Sequence, residues 1–160
     1  MATIERGVRI DAGSSADLDA VMTVMDEAFG KRFGEAWTRS QLAGILPMGG
    51  VAMMLAREPD SALTLGFSLF RTVAGESELL LIAVLPEHHR RGVGRQLLDD
   101  FLERARNNGV SRVHLEVRDG NPAVVMYRTA GFSPVGRRRN YYHAPDGRRF
   151  DAITLSHQLT

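Results

Sequence analysis

Residues 79–94 read Leu79-Leu-Leu-Ile-Ala-Val-Leu85 and then Pro86-Glu-His-His-Arg-Arg-Gly-Val-Gly94. Seven successive apolar residues closed by a proline are the pattern of a central strand covered on both faces. The chain then enters a helix whose apolar residues Val93, Leu97, Leu98, Phe101, Leu102 and Ala105 recur at helical spacing, with Asn108-Gly109 as its stop. A buried strand that leads directly into a helix start is a place for an anion. The first turn has free N–H groups, Gly92 and Gly94 permit close approach, and Arg90, Arg91 and Arg95 add positive charge, so Arg90 to Arg95, with Val93 between the glycines, suit a diphosphate. A third glycine is missing for the dinucleotide fingerprint, and no Gly-Lys-Ser/Thr makes a P-loop. As a bare strand-to-helix turn the segment would need no ligand; the arginines and the strand before it carry the anion reading.

Upstream, residues 8 to 11 suit a first strand, Ser14-Ser15 a helix start, and Leu18, Val21, Met22, Met25 and Phe29 an amphipathic helix. Thr38-Arg-Ser-Gln41 forms a capping box for a second helix through Leu46, and Pro47 with Gly49-Gly50 stops it. Val51 to Ala56 and Leu63 to Val73 read as a hairpin around Glu58-Pro-Asp-Ser61. Downstream, Val113, Leu115 and Val117 mark a strand, Asn121-Pro122 starts a helix that Gly131 ends, and Val135 to Tyr142 with Phe150 to Leu159 flank a turn at Pro145-Asp-Gly147. No repeat or linker divides the chain, so one domain over residues 1–160, with its core in about 8–159, is expected.

Composition narrows the chemistry. In 160 residues there is no cysteine, which removes thiolate metal sites, disulfides and a cysteine nucleophile. The formal net charge of +1 and the lack of an RNA-binding motif speak against nucleic acid as a partner, although Arg137 to Tyr142 alternates basic and aromatic residues. The first residues lack a basic start followed by an apolar run, and no stretch approaches the ~18 apolar residues of a membrane span. A cytoplasmic protein without membrane association is expected. His88 and His89 have no partner at a metal-ligand spacing and read as solvated, so no metal is expected. Nor is there a Gly-x-Ser-x-Gly nucleophile turn. With no covalent nucleophile signature, direct attack by a substrate group on an activated cofactor is the simplest chemistry.

Two titratable residues suit that attack. Alternation along residues 112–118 puts His114 and Glu116 on the face opposite Val113, Leu115 and Val117. Desolvation there would raise the pKa of Glu116 toward that of a general base; a salt bridge to a neighbour such as Arg118 is the other reading. Tyr127 follows on the next helix, either as a proton donor or as a core tyrosine with its hydroxyl bonded.

Arg90-Arg-Gly-Val-Gly-Arg95, Leu115-Glu-Val-Arg118 and Met126-Tyr-Arg-Thr-Ala-Gly-Phe132, in this order, resemble the GNAT-fold acetyl-CoA-dependent N-acetyltransferases. Within them, Trp37-Thr38, Ile82-Ala-Val84, Arg138-Arg-Asn-Tyr-Tyr142 and Asp151-Ala-Ile153 resemble the RimI-type enzymes that acetylate the N-terminal alanine of a ribosomal protein. The resemblance spans roughly residues 8 to 156. It implies an α/β fold of the α+β mixed kind: a mostly antiparallel mixed sheet of six to seven strands, flanked by about four helices and splayed between strands 4 and 5. It also implies acetyl-CoA as co-substrate in a ternary complex. Ile82, Ala83 and Val84 would meet the pantetheine arm, Arg90 to Arg95 the diphosphate and Asn121 the cofactor; Glu116 would be the base and Tyr127 the acid.

The partner so implied is a peptide or protein N-terminus, from a ribosomal protein in the RimI case, taken by a monomer or weak homodimer. That peptide would enter between Trp37 and Tyr141-Tyr142, unless these are packing residues. A small-molecule amine or lysine acceptor, or a non-catalytic CoA-binding sensor, are the alternatives. Two departures stand out: His89 replaces the usual Gln, and the interval from Glu116 to Tyr127 is one residue short, which bears on Asn121. Asn121 would equally serve as the N-cap of the Pro122 helix.

Overall fold

The computed structural model describes residues 7–160, Arg90 by its backbone alone. Among them the chain forms seven strands and four α-helices: β1 (Arg9–Ala12), α1 (Leu18–Phe29), α2 (Arg39–Ile45), β2 (Val51–Arg57), β3 (Thr64–Val73), β4 (Glu76–Val84), α3 (Val93–Asn107), β5 (Arg112–Arg118), α4 (Ala123–Thr129), β6 (Ser133–His143) and β7 (Arg149–Gln158). The strands make one sheet in the order β1-β2-β3-β4-β5-β7-β6, antiparallel except for the β4–β5 pair. This is the mixed architecture that the family resemblance implies, with β7 inserted between β5 and β6.

The local signals act as their chemistry dictates. Thr38 and Gln41 form the expected reciprocal box at the start of α2, with N–H to side-chain oxygen distances of 2.8 and 3.1 Å. Ser14 and Asp17 form another before α1. Each helix buries one stripe. Leu98, Phe101 and Leu102 of α3 pack with Leu79, Val113, Leu115 and Val117 on one face of the sheet, while Val21 and Met25 of α1 and Leu42 of α2 pack with Leu55, Phe67, Leu69 and Leu81 on the other.

β4 is covered on both faces as its apolar run predicts, and it carries a feature that the run conceals. Leu81 pairs with Leu69, but the next β3 residue, Phe70, pairs with Leu79, so Leu80 is the extra residue of a bulge. A bulge reverses the side-chain alternation. Leu79 therefore joins the core beneath α3, whereas Leu81 and Ala83 join the core beneath α1.

β6 is the exposed edge of the sheet. Between Arg138 (opposite Ala152) and Tyr142 (opposite Phe150) it carries two more residues than β7, and Asn140 there takes φ of 54° and gives its N–H to Asp151 Oδ1 at 2.9 Å. Charge and a bulge protect such an edge from pairing with another chain, which accounts for part of the arginine cluster 137–139 without a ligand. Gly34, in the loop between α1 and α2, lies against this strand: with φ of +72°, a Cβ built there would stand 2.1 Å from the His143 carbonyl oxygen. Only glycine lets that loop close on β6.

Candidate active site

β4 and β5 are parallel partners from Glu76–Arg112 to Leu79–Leu115 and no further, although β4 continues to Val84 and β5 to Arg118. Two strands that part in mid-sheet leave a V-shaped opening and free the facing edge of β4 from ladder pairing. A cavity of about 830 Å³ fills it, lined by Ile82, Ala83 and Val84 on one side, Leu115 to Arg118 on another, and Asn121 and Tyr127 from α4 and the turn before it.

One end of the cavity meets the N-terminus of α3, where Gly92, Gly94 and Arg95 line it. Gly92 takes φ of +73° as the residue before the helix, and a Cβ there would find nothing within 4 Å. No side chain therefore crowds the start of a fifteen-residue helix at Gly92, and the free N–H groups of a helix start suit phosphate oxygens. Arg95 lies at this end and pairs with Asp99 one turn on at 2.9 Å.

Two expected contributors stand differently. Arg91 forks onto Glu58 of the β2–β3 turn at 2.5 and 3.2 Å and also contacts His88 at 2.9 Å, so its guanidinium fastens the loop instead of lining the cavity. The Val93 side chain is fully buried against Leu65, Val84 and Leu97, leaving its backbone as its contribution to the helix start. The Arg90 side chain lies outside the described residues. His89 sits at the cavity with Nε2 3.0 Å from the Val84 carbonyl oxygen, and neither histidine belongs to a metal-binding cluster among the described residues. The edge of β4, the open helix start and Arg95 together fit a long thiol cofactor with an anionic end.

Glu116 lines the cavity from β5. Arg138 of β6, not Arg118, is its ionic partner, with Nε 3.0 Å from Oε1; Oε2 is buried without a hydrogen-bond partner. Burial pushes the Glu116 carboxyl above the ordinary carboxylate range, Arg138 opposes this, Glu78 reinforces it and His114 opposes it more weakly. Glu78 and His114 are register partners on β4 and β5, with His114 Nε2 3.1 Å from Glu78 Oε2.

Tyr127 is buried on α4, edge-on to Phe132 with ring centroids 6.0 Å apart, and lines the same cavity. Burial, with Glu35 adding to it, raises its hydroxyl pKa strongly, so the phenol keeps its proton at neutral pH. Glu35, from the loop between α1 and α2, escapes a reading of local sequence. It forms an ion pair with Arg118 at 3.1 Å in which both side chains are about nine-tenths buried, and it accepts a hydrogen bond from Asn121 Nδ2 at 2.9 Å. Arg118 also lies 3.7 Å over the Phe33 ring, and Phe33 meets Phe150 edge-on. No periodicity links residues so far apart in the chain; only the preceding glycine, Gly34, hints that the loop must approach another element.

Asn121 Oδ1 accepts from the Ala123 N–H at 2.9 Å, but the N-cap of α4 is Pro122, so Asn121 stands one residue ahead of the capping position expected of it. Both ends of its amide are thus engaged within the protein while the residue still lines the cavity. Trp37, Tyr141 and Tyr142 also line the cavity.

Residues 19–132 match the acetyltransferase (GNAT) family. The chain belongs to this family. Relatives include a ribosomal protein bS18-alanine N-acetyltransferase of Haemophilus influenzae, 37% identical over 92 residues (58% of this chain, 63% of that protein). The N-alpha-acetyltransferase RimI of Mycobacterium tuberculosis is 48% identical over 88 residues (54% and 52%). The matched stretch spans less than two thirds of the length of each. The crystal structure of the ribosomal-protein-S18-alanine N-acetyltransferase from Escherichia coli superimposes with a TM-score of 0.85 at 28% identity, covering 96% of this chain and 94% of that one. The GNAT splay is the gap between β4 and β5, and it contains Glu116 and Tyr127.

Proposed function

We propose that this GNAT protein transfers acetyl from acetyl-CoA to the α-amine of a protein N-terminus, with the alanine terminus of ribosomal protein bS18 as acceptor, by direct transfer in a ternary complex in the cytoplasm. The observation that carries this reading is the meeting of a carboxylate with one buried, unpartnered oxygen and a protonated phenol in one cavity beside the unpaired edge of β4. The names of the relatives support the acceptor, as do Trp37, Tyr141 and Tyr142, which offer aromatic faces to a peptide.

Acetyl-CoA supplies the activated acyl group when bound. The diphosphate fits the α3 start at Gly92, Gly94 and Arg95, and the pantetheine arm fits the edge at Ile82 to Val84. Glu116 takes one proton from the acceptor ammonium, which exposes the nitrogen lone pair for attack at the acyl carbon. As the new C–N bond forms and the C–S bond breaks, Tyr127 protonates the departing sulfur. The nitrogen sheds a second proton, Tyr127 is reprotonated, and the balance is one amide, one thiol and one proton released. The α-amine suits such a modest base: with a pKa near 8, roughly one in ten is already neutral at pH 7, against fewer than about one in a thousand lysines.

An Ala-initiated peptide matching the bS18 terminus is expected to gain one acetyl group by mass spectrometry when incubated with acetyl-CoA, and its Nα-blocked form with an internal lysine to gain none. Modification of the blocked peptide alone would reassign the acceptor. Tyr127→Phe keeps the ring packed on Phe132 and removes the proton donor, so kcat should fall about a hundredfold with little change in melting temperature. Because burial holds the phenol protonated, the wild-type rate should show no loss from Tyr127 ionisation up to about pH 10, the ordinary tyrosine pKa.

A further inference from the structure

The two oxygens of Glu116 have different surroundings: Oε1 is held by Arg138 Nε at 3.0 Å, and Oε2 is buried with no partner. We propose that Arg138 is a positioning residue, which fixes Glu116 through Oε1 so that Oε2 takes the acceptor's proton. The proposal rests on Glu116 being the base of the proposed acetyl transfer.

A buried carboxylate oxygen without a donor is costly, and an incoming N–H removes that cost only at the oxygen left open. A guanidinium carries a permanent charge, so the contact at Oε1 is one between opposite charges. It is placed for this by the edge strand. Arg138 is the last residue of β6 in register with β7 before the two-residue bulge, its guanidinium lies 5.4 Å from the Tyr141 ring centroid, and Tyr141 lines the cavity.

The other groups facing Glu116 do not substitute for it. Glu78 approaches from β4 and is paired with His114 of Glu116's own strand at 3.1 Å. Tyr142 of β6 is a phenol that burial keeps neutral, and Thr154, opposite Glu116 on β7, is uncharged. Arg138 is the strongest influence opposing burial at Glu116.

The test compares wild type, Arg138→Gln and Arg138→Lys in kcat/KM against pH, using the Ala-initiated peptide. Arg138→Gln is expected to move the acid midpoint upward by roughly half a pH unit, the size of an exposed ion pair. Arg138→Lys, which can still reach one oxygen, should keep it near wild type. An acid midpoint in Arg138→Gln equal to that of wild type overturns the proposal. Carbon-13 NMR titration of the Glu116 carboxyl reads the same midpoint in the protein alone. If wild type acetylates no α-amine, the proposed function fails, and an upward-shifted or unshifted Glu116 titration in Arg138→Gln still decides the role of Arg138.

Discussion

Glu116→Gln is expected to lower kcat by about a hundredfold to ten-thousandfold, the range for removing a positioned general base, while calorimetric affinity for acetyl-CoA stays that of wild type. Glutamine keeps the shape and the contact with Arg138 but cannot accept the proton. The pH profile separates this loss from a packing defect. A base must be ionised to act, and the carboxyl of Glu116 is raised by burial, so wild-type kcat/KM should fall as pH drops through a midpoint above the ordinary glutamate value of about 4.3. In Glu116→Gln the small residual rate should lack that limb and keep only the fall set by protonation of the acceptor amine near pH 8. A limb persisting at the wild-type glutamate midpoint would assign the base elsewhere in the cavity.

Stability should move the other way. A carboxyl whose pKa is raised on folding binds its proton more tightly in the folded state, so its contribution is fully present at low pH and is lost as pH rises through the raised value. Above that window the folded protein holds a desolvated charge that glutamine lacks. The Arg138 pair is more than half exposed on the arginine side and offsets little of this. At neutral pH Glu116→Gln should therefore melt no lower than wild type, a sign that activity and stability conflict at this position.

Arg118→Ala carries the largest expected cost in stability. It leaves the carboxylate of Glu35, about nine-tenths buried, to the Asn121 amide among the described residues, and it removes the cation between Phe33 and Phe150. Breaking one side of a buried pair costs about 3 to 5 kcal/mol, which for a domain of this length corresponds to a fall in melting temperature of roughly 6 to 20 °C. The loop that Glu35 anchors also carries Trp37 to the cavity, so KM for the peptide should rise more than KM for acetyl-CoA. In the cycle of Arg118→Ala, Glu35→Gln and the double variant, the double should be less destabilised than the sum of the singles; strict additivity would show that the pair is not coupled.

Much of this protein follows from local chemistry. The apolar run 79–85, the capping boxes at Ser14 and Thr38, and the alternation that presents Glu116 opposite Val113, Leu115 and Val117 are short-range patterns. Backbone geometry alone turns them into a central strand, two helix starts and a carboxylate on the open face. Gly92, Gly94 and Arg95 come to the α3 start for the same reason, because a strand that leads into a helix leaves only a few residues between them.

The tertiary structure decided which charges meet. Arg138, not the neighbouring Arg118, became the partner of Glu116, since β7 and β6 lie beside β5 while the loop carrying Glu35 reaches Arg118 first. Arg91, an anion ligand by its place in the sequence, was taken by Glu58, which a hairpin brings within 2.5 Å. Sequence by itself determined the elements, the open start of α3 and the face that carries Glu116, because those depend on periods of two and 3.6 residues and on dihedral preferences. Ion pairing depends instead on distances between segments far apart in the chain, and these exist only once the sheet has set its strand order and opened between β4 and β5.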